Sequence, residues 1–469
     1  MRLFFFFKLL FFVSFWNVNA QDSTSTVLPL EQYYCMVYQN HPIVKQATLL
    51  VQRGRLSIQE ARGAFDPKLN STFYTKDFNG KDYYDLWNTY LKVPTLLNVD
   101  LKAGFENNSG LYLNPEHSLP NQGLYYMGIS VPLGQGLMRN PRNIELKKSN
   151  FHSELTRNDA QILLNNLFLD ANHAYWLWYE QYHIRQLVQD NLRLIEQKYQ
   201  GVRESVINGE YAAIDSVEMY IQVQQWGNEL KMADMALQNC ELLLRNFIWN
   251  DQIDLGQMIP ETHAGKEDID LDQVLQWAIH NHPQLQQLEI QNTILDLDRK
   301  MRKEQLKPVF NINYNLLLQN GNRDNGDNGA YANNYKGGFE FVFPLLVRKE
   351  RAKLKVVTLK QQENSLKLDN KAQETFTKVE QSYNKGFTLD EMIKEQERII
   401  TNQVRMLQAE QIKFDSGESS VFLLNSRENK KLKSQIKLIE LRAKYGRALG
   451  ELSWSAGKLF HDVKTNNDI

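Results

Sequence analysis

The sequence is short of cysteine, and this limits the metal and disulfide sites that it can form. Only Cys35 and Cys240 occur in 469 residues, and both fall in predicted helices. Two cysteines cannot form a structural zinc site alone, and no histidine pair at ligand spacing accompanies them. An oxidising compartment would permit a disulfide between them. We favour two unpaired, buried thiols.

Long apolar runs are absent after the first 20 residues. No later stretch approaches the roughly 18 to 20 apolar residues of a spanning helix, so any membrane segment would have to consist of strands. At the start of the chain, Arg2 and Lys8 accompany a run of Leu and Phe that ends at Val18-Asn19-Ala20. This is the layout of a cleavable secretory signal. Residue 21 is Gln, which argues against a lipid anchor there.

Signatures of catalysis are also missing. The chain has no nucleophile elbow, P-loop, dinucleotide fingerprint or His-Glu metal motif, and its 9 histidines are scattered. We therefore predict no enzyme activity, no catalytic residue, no cofactor and no metal. A formal net charge of -1 gives no reason to expect nucleic acid as a partner. The abundance of Gln, Asn, Lys, Glu and Leu suits long helices with wetted surfaces.

What the chain does contain is an internal repeat. Each matching segment is a weak landmark alone, but the segments recur in the same order, which indicates two copies of one unit. The matching pairs are Asn40-His41-Pro42 with Asn281-His282-Pro283, Val131-Pro132-Leu133 with Phe343-Pro344-Leu345, and Asn208-Gly209-Glu210 with Ser416-Gly417-Glu418. We interpret His41 and His282 as turn residues before a helix-starting proline, not as metal ligands.

Each unit contains segments with the period-two alternation of strands. The clearest runs from Val309, where apolar residues alternate with Asn311, Asn313 and Asn315. The polar stretch 320–329 follows as a loop. Aromatic residues on one face and asparagines on the other favour strands of a transmembrane barrel, although a soluble hairpin would look similar in isolation.

The first unit shows three alternating runs, and an odd number cannot return the chain to its starting side. Either 83–93 adds a fourth strand, or the insertion 80–122 lies above the membrane. We favour the second alternative because the other unit has a single hairpin. This gives four strands per chain.

Two long helical arms follow the strands. The segments 138–208 and 348–416 each run for about 70 residues, which is roughly 100 Å of continuous helix. Both have a narrow apolar seam, typical of helices that pack side by side. Gly209 and Gly417 supply the left-handed conformation that closes a helix. The seam residues are Ala171, Tyr175, Trp178 and Tyr182 in the first arm and Ala372, Phe376, Val379, Tyr383 and Phe387 in the second.

These features divide the chain into two repeats with a short linker. The predicted parts are a signal peptide at 1–20, a first repeat at 21–250 with strands within about 68–132 and a helical hairpin at 138–250, a linker at 251–270, a second repeat at 271–459 with strands at about 309–343 and a helical hairpin at 348–459, and a tail at 460–469.

The doubled unit, the Pro-Leu after the last strand of each unit, the glycine tips and the closing segment Tyr445-Gly446-Arg447-Ala448-Leu449-Gly450 resemble the TolC family of outer-membrane efflux proteins. The resemblance covers nearly all of the chain after the signal. It implies a mainly α fold with a transmembrane β-barrel portion. It further implies a homotrimer with a 12-stranded barrel in outer-membrane lipid and a periplasmic α-helical tunnel in a Gram-negative bacterium.

The resemblance also implies a function. This is an outer-membrane channel of a tripartite efflux or type I secretion system, which passively exports what a periplasmic adaptor protein and an inner-membrane transporter deliver. A soluble periplasmic coiled-coil scaffold or adaptor is the alternative. The cargo, whether drug, metal ion or polypeptide, stays open.

Two groups of site residues follow from the resemblance. The adaptor-binding tips are Asn208, Gly209, Glu210, Ser416, Gly417 and Glu418. At the periplasmic entrance, the positions of two family aspartates fall on Leu423 and Ser426, whereas Asp215 matches an acidic family position. The usual acidic gate is thus absent, and we expect weak block by multivalent cations.

Overall fold

The structure is a computed structural model that describes residues 26–250, 252–261, 269–319 and 334–466. The predicted signal peptide, the polar loop 320–329 and parts of the predicted linker and tail lie outside the described residues. The helices are α1 Leu30–Asn40, α2 Pro42–Arg62, α3 Pro141–Ile207, α4 Ala213–Ile248, α5 Leu271–Asn281, α6 Pro283–Glu304, α7 Arg348–Asp415, α8 Val421–Ser455 and α9 Leu459–Asn466. The strands are β1 Thr26–Leu28, β2 Lys68–Phe78, β3 Lys81–Pro94, β4 Asp100–Ser109, β5 Leu124–Pro132, β6 Met258–Pro260, β7 Val309–Gln319 and β8 Tyr335–Val342.

The order of elements repeats as the sequence indicates. Two short helices, antiparallel strands and a long helical hairpin occur in each unit. His41 and His282 separate the two short helices, and each adopts an extended backbone conformation before its proline. The Nδ1 atom of His41 accepts a hydrogen bond from the Ile43 backbone N–H at 3.2 Å. The Nδ1 atom of His282 accepts one from Gln284 at 3.3 Å. Their interpretation as turn residues is confirmed.

The two predicted arms are continuous helices. Helix α3 has 67 residues and α7 has 68, so each is roughly 100 Å long at 1.5 Å per residue. Within the described ranges, no helix has the length and hydropathy needed to cross a membrane. In the seam of α3, Ala171, Tyr175 and Trp178 are buried, whereas Tyr182 is half-buried. The seam of α7 is buried only in part, because Val379 is enclosed whereas Phe387 is 56% exposed.

The main core lies where α1, α2, α4 and α9 pack around the middle of α3. Its largest fully buried side chains are Trp178, Tyr33, Tyr175 and Phe168. The predicted tail takes part in this core, because α9 places Val463 in it. Part of the predicted linker is also ordered, since β6 pairs in parallel with β1.

Both cysteines are free. Cys240 is buried, as predicted, and burial raises the pKa of its thiol to about 11. Cys35 is only partly buried, so the prediction of a second buried thiol is wrong.

Six strands form one antiparallel sheet in the order β2-β3-β4-β5-β7-β8. The prediction that the insertion 80–122 lies apart from the strands, and with it the count of four strands per chain, is wrong. Residues of that insertion form β3 and β4. Asn79 and Gly80 both have positive φ, 52° and 70°, which is the two-residue turn that matches the twist of a hairpin. The turn 95–99 then reverses the chain into β4.

Candidate functional site

One face of the six-stranded sheet is apolar along its whole width. Directly opposed residues of neighbouring strands point to the same side, and the strand register puts the apolar residues of all six strands together. Aromatic side chains are frequent among them, as on the lipid side of a membrane barrel. The apolar residues of this face are Leu69, Phe73, Trp87, Leu91, Val93, Leu101, Ala103, Phe105, Tyr125, Met127, Ile129, Val131, Phe310, Ile312, Tyr314, Leu316, Leu318, Tyr335, Phe339 and Phe341.

The opposite face is mainly polar. Side chains on it are bonded across strands, as where Asn88 donates to Glu106 at 3.4 Å and Tyr126 donates to Asn88 at 3.1 Å. An apolar outer face and a hydrated inner face are what a water-filled barrel in lipid requires. The polar residues of this face include Lys68, Asn70, Thr72, Asn88, Lys92, Asp100, Lys102, Glu106, Ser130, Asn311, Asn313, Asn315, Lys336 and Glu340.

Three lysines lie side by side on the polar face. Lys68 is opposite Lys92, and Lys92 is opposite Lys102. Like charges directly opposed across strands are destabilising. Part of this repulsion is offset by Asp100, which lies 2.9 Å from the Lys92 ammonium. The amino-acid sequence alone does not reveal this lysine row, since it follows only from the pairing of β2, β3 and β4.

The same aspartate joins the sheet to the first arm. The Arg142 guanidinium, in the first turn of α3, donates from both terminal nitrogens to Asp100 at 2.9 Å. Nearby, Asn98 donates to the Gly136 carbonyl at 3.1 Å, and Asn143 donates to the Leu96 carbonyl at 2.6 Å. The turn between β3 and β4 is therefore fixed at the level where the arms begin.

The ends of the arms have the same geometry in both repeats. Gly209 and Gly417 have φ of 81° and 76°. The next residue in each case, Glu210 or Glu418, donates its backbone N–H to a carbonyl five residues back at 2.8 Å. These are the bonds of a glycine-terminated helix. All six residues predicted for the tips are exposed.

The two tips contact each other. A small core of Ile195, Met219 and Val421 joins α3, α4 and α8 near the tips. The rings of Tyr211 and Phe414 lie 6.0 Å apart across the repeats. Large apolar side chains are also exposed at this end, which is typical of a surface that binds another protein. They are Ile207, Ile214, Val217, Ile412, Phe422 and Leu423.

The predicted entrance residues lie one turn or two beyond the tips. Asp215 is in the first turn of α4 and is half-buried. Leu423 is 44% exposed, whereas Ser426 is half-buried. The structure thus brings all three to the same end of the molecule as the tips, on α4 and α8.

Two carboxylates near the entrance are already paired. Glu410 accepts hydrogen bonds from the Ser419 hydroxyl at 2.6 Å and from Arg427 at 3.4 Å. The hydrogen bond from Ser419 is the main cause that lowers the Glu410 pKa. Glu428 pairs with Lys198. In the described part of the chain, no group of three or more acidic, histidine or cysteine side chains is placed to hold a metal ion.

Residues 274–458 match the family model described as outer membrane efflux protein. This is the family that the sequence resemblance implies. The match spans most of the second repeat, and no curated protein sequence matches the chain.

Solved channel structures share the fold over nearly the whole chain. The outer membrane channel CmeC of Campylobacter jejuni superposes with a TM-score of 0.66 at 11% identity, covering 94% of this chain and 88% of that one. The outer membrane protein VceC of Vibrio cholerae gives 0.67 at 12%, covering 92% and 96%. The open MtrE outer membrane channel of Neisseria gonorrhoeae gives 0.66 at 13%, covering 92% and 89%. At these identities the likeness shows the fold, which this chain shares with outer membrane channels.

Proposed function

We propose that the chain is the outer-membrane channel of an efflux or type I secretion system and forms a passive duct across the outer membrane and periplasm. The observation that carries the proposal is the apolar face shared by six strands and joined directly to two helical hairpins, in each of which the first helix is roughly 100 Å long. The strands cross lipid, and the arms extend the duct into the periplasm. The chain itself supplies no energy for transport.

A soluble periplasmic scaffold is the second candidate, and the sheet argues against it. Phe339 and Phe341 on the edge strand β8 are 75% and 61% exposed, as is Phe73 on β2 at 61%. A protein in water would expose these rings at a large free-energy cost, roughly 25 cal/mol for each Å² of apolar surface. In lipid that cost disappears.

The working assembly is a homotrimer that binds a periplasmic adaptor and, through it, an inner-membrane transporter. The tips support the adaptor contact, because Gly209 and Gly417 end the arms and exposed apolar residues surround them. Asp215, Leu423 and Ser426 would line the periplasmic entrance. With Leu423 and Ser426 lacking a carboxylate, the entrance is less acidic than the family resemblance implies.

Membrane fractionation tests the channel. We expect the protein in the outer-membrane fraction, resistant to salt extraction, as a trimer that migrates differently on gels before and after heating. A protein washed out by salt would support the scaffold. Sequencing of the mature protein should begin at Gln21 if the predicted signal peptide is removed.

Site-specific crosslinking tests the tips. A photoreactive residue at position 210 or 418 should capture a periplasmic protein of the adaptor class. The matched control is Glu395, an exposed residue in the middle of α7. Capture from position 395 but not from the two tip positions would show that the adaptor binds elsewhere.

A further inference from the structure

We propose that three copies of this chain close an 18-stranded barrel, six strands from each, in place of the 12 strands implied by the family resemblance. The inference rests on the trimeric channel proposed above and deepens it, because the number of strands sets the width of the exit. Strands β3 and β4 are the additional hairpin.

Both additional strands are full members of the sheet. Strand β3 is paired with β2 between residues 81 and 92 and with β4 over 85–94, and β4 is paired with β3 and β5. They have 14 and 10 residues, and a strand needs about 9 to 11 residues to cross a bilayer. A hairpin folded above the membrane would not need strands of bilayer-crossing length. It would also not need to lie between β2 and β5 in the sheet.

The additional strands continue both faces of the sheet. Trp87 and Leu91 of β3 and Leu101 of β4 lie on the apolar face and are 44%, 41% and 44% exposed. On the other side, Asn88 and Glu106 are bonded within the polar network. If this hairpin lay wholly in water, the apolar side chains of Trp87, Leu91 and Leu101 would be exposed to water. Asn88 and Glu106 would gain no new hydrogen-bond partner in the protein.

The inner turn of the additional hairpin lies at the junction with the arms. Leu96 and Asn98 in this turn are bonded to Asn143 and Gly136, and Asp100 is paired with Arg142. Strands β5 and β7 meet the same region, since the Leu133 backbone N–H donates to the Phe310 carbonyl at 2.7 Å. The hairpin therefore spans the whole distance from the junction to the outer turns.

The two outer edges of the sheet suit each other. No described strand of this chain pairs with the outer edge of β2 or of β8. Neighbouring strands are antiparallel throughout and their number is even, so β8 of one copy runs antiparallel to β2 of the next. Leu69, Phe73, Phe339 and Phe341 make both edges apolar and highly exposed. Unpaired strand edges are not tolerated in lipid. Pairing of β8 in each copy with β2 of the next copy would leave no unpaired edge in the trimer.

The consequence is a wider exit. Barrel diameter grows roughly linearly with strand number, so 18 strands give about 1.5 times the diameter of 12. The outer-membrane segment would then admit bulkier cargo than a 12-stranded channel, and it would not be the narrowest part of the duct.

Electron cryomicroscopy of the detergent-extracted trimer tests the inference directly. We expect 18 strands in the barrel. A trimeric barrel of 12 strands, with the β3–β4 hairpin outside it, would overturn the inference but would still support the proposed channel function. A protein that is neither trimeric nor in the membrane would overturn both.

Disulfide trapping in intact cells gives a second test, in a background with Cys35→Ala and Cys240→Ala. Paired cysteines at positions 69 or 73 of β2 and 339 or 341 of β8 should link neighbouring copies. Within one chain these edges lie five strand spacings, about 24 Å, apart along the sheet. The discriminating control pair uses position 69 of β2 with position 127 of β5, which stand in the same row of the sheet but are separated by β3 and β4, three strand spacings or about 14 Å apart. We expect no crosslink between them, whereas a crosslink between β2 and β5 would mean that the β3–β4 hairpin lies outside a 12-stranded barrel.

Discussion

The indole of Trp176 lies directly on the backbone of Gly446, and a methyl group at position 446 would overlap its ring. This contact joins the middle of α3 to α8, so the two repeats meet through a residue of each. One helical turn further on, Gly450 packs in the same way against Asn172. Asn172 in turn donates to the Tyr34 hydroxyl at 2.8 Å. Close approach of α3 and α8 therefore requires small residues on α8.

Replacement of Gly446 by Ala should destabilise the protein. The added methyl group forces Trp176 to move within a packed core, at a cost of about 1 to 3 kcal/mol per copy, of which the higher helix propensity of Ala offsets up to about 1 kcal/mol. The midpoint of heat dissociation of the trimer measures this. The control is Gly227→Ala in the interior of α4, where a methyl group meets open space and helix propensity should add up to about 1 kcal/mol of stability. Equal changes of this midpoint for the two substitutions would show that the contact between Trp176 and Gly446 does not contribute to stability.

Acid should weaken the protein through His282. Burial, with Lys371 and Lys378 adding to it, lowers the pKa of His282 to about 4 from the usual 6.5. Between these values the unfolded chain binds a proton that the folded chain excludes, so stability falls as the pH falls from about 6.5 to 4. At pH 5 the loss is about 2 kcal/mol per copy.

The variant His282→Asn tests this pH dependence, because Asn also accepts the capping hydrogen bond at a helix start. We expect it to lose less stability than the wild type between pH 7 and pH 5, as measured by heat dissociation at each pH. His117→Asn, at an exposed position, is the control. If the wild type and His282→Asn respond to acid equally, His282 is not the group that titrates.

The lysine row should influence ion selectivity. Replacement of Lys68 and Lys102 by Gln removes two positive charges from the polar face of each copy and leaves the Lys92–Asp100 pair intact. We expect the reversal potential of single channels under a salt gradient to shift towards cation preference. The shift should be largest near 0.01 M salt, where the Debye length is about 30 Å, and small near 1 M, where it is about 3 Å.

The control for the lysine row is Lys81→Gln, which removes a positive charge in the outer turn between β2 and β3. An equal shift with Lys81→Gln would assign the effect to the net charge of the protein. No shift at low salt with the double variant would place Lys68 and Lys102 away from the ion path.

The second β-hairpin could be predicted from the sequence, but the number of strands could not. In β7, apolar residues alternate strictly with Asn311, Asn313 and Asn315, so the period is clear. In the first repeat Tyr90 falls on the polar face and Thr89 on the apolar face, which blurs the alternation of β3. Leu96 and Leu97 are 62% and 80% exposed in the next turn, and apolar residues there conceal the boundary between β3 and β4.

In the candidate site, too, features that depend on local sequence could be predicted, and features that depend on contacts between distant segments could not. Gly209 and Gly417 could be found because a positive φ at the end of a helix is a local requirement that favours glycine. The lysine row depends on the register of three strands, and the Arg142–Asp100 pair joins elements 42 residues apart. Neither leaves a local pattern in the sequence.

Multivalent cations should block the channel weakly, because Leu423 and Ser426 stand where the family resemblance implies aspartates. The double variant Leu423→Asp, Ser426→Asp brings six carboxylates to the entrance of a trimer. We expect the concentration of a trivalent cation that halves the single-channel current to fall by about tenfold or more, equivalent to about 1.4 kcal/mol of added attraction. Phe422→Asp, an exposed neighbour on α8, is the control. Strong block of the wild type would contradict the proposed entrance, and strong block of the control alone would move the entrance to a different face of α8.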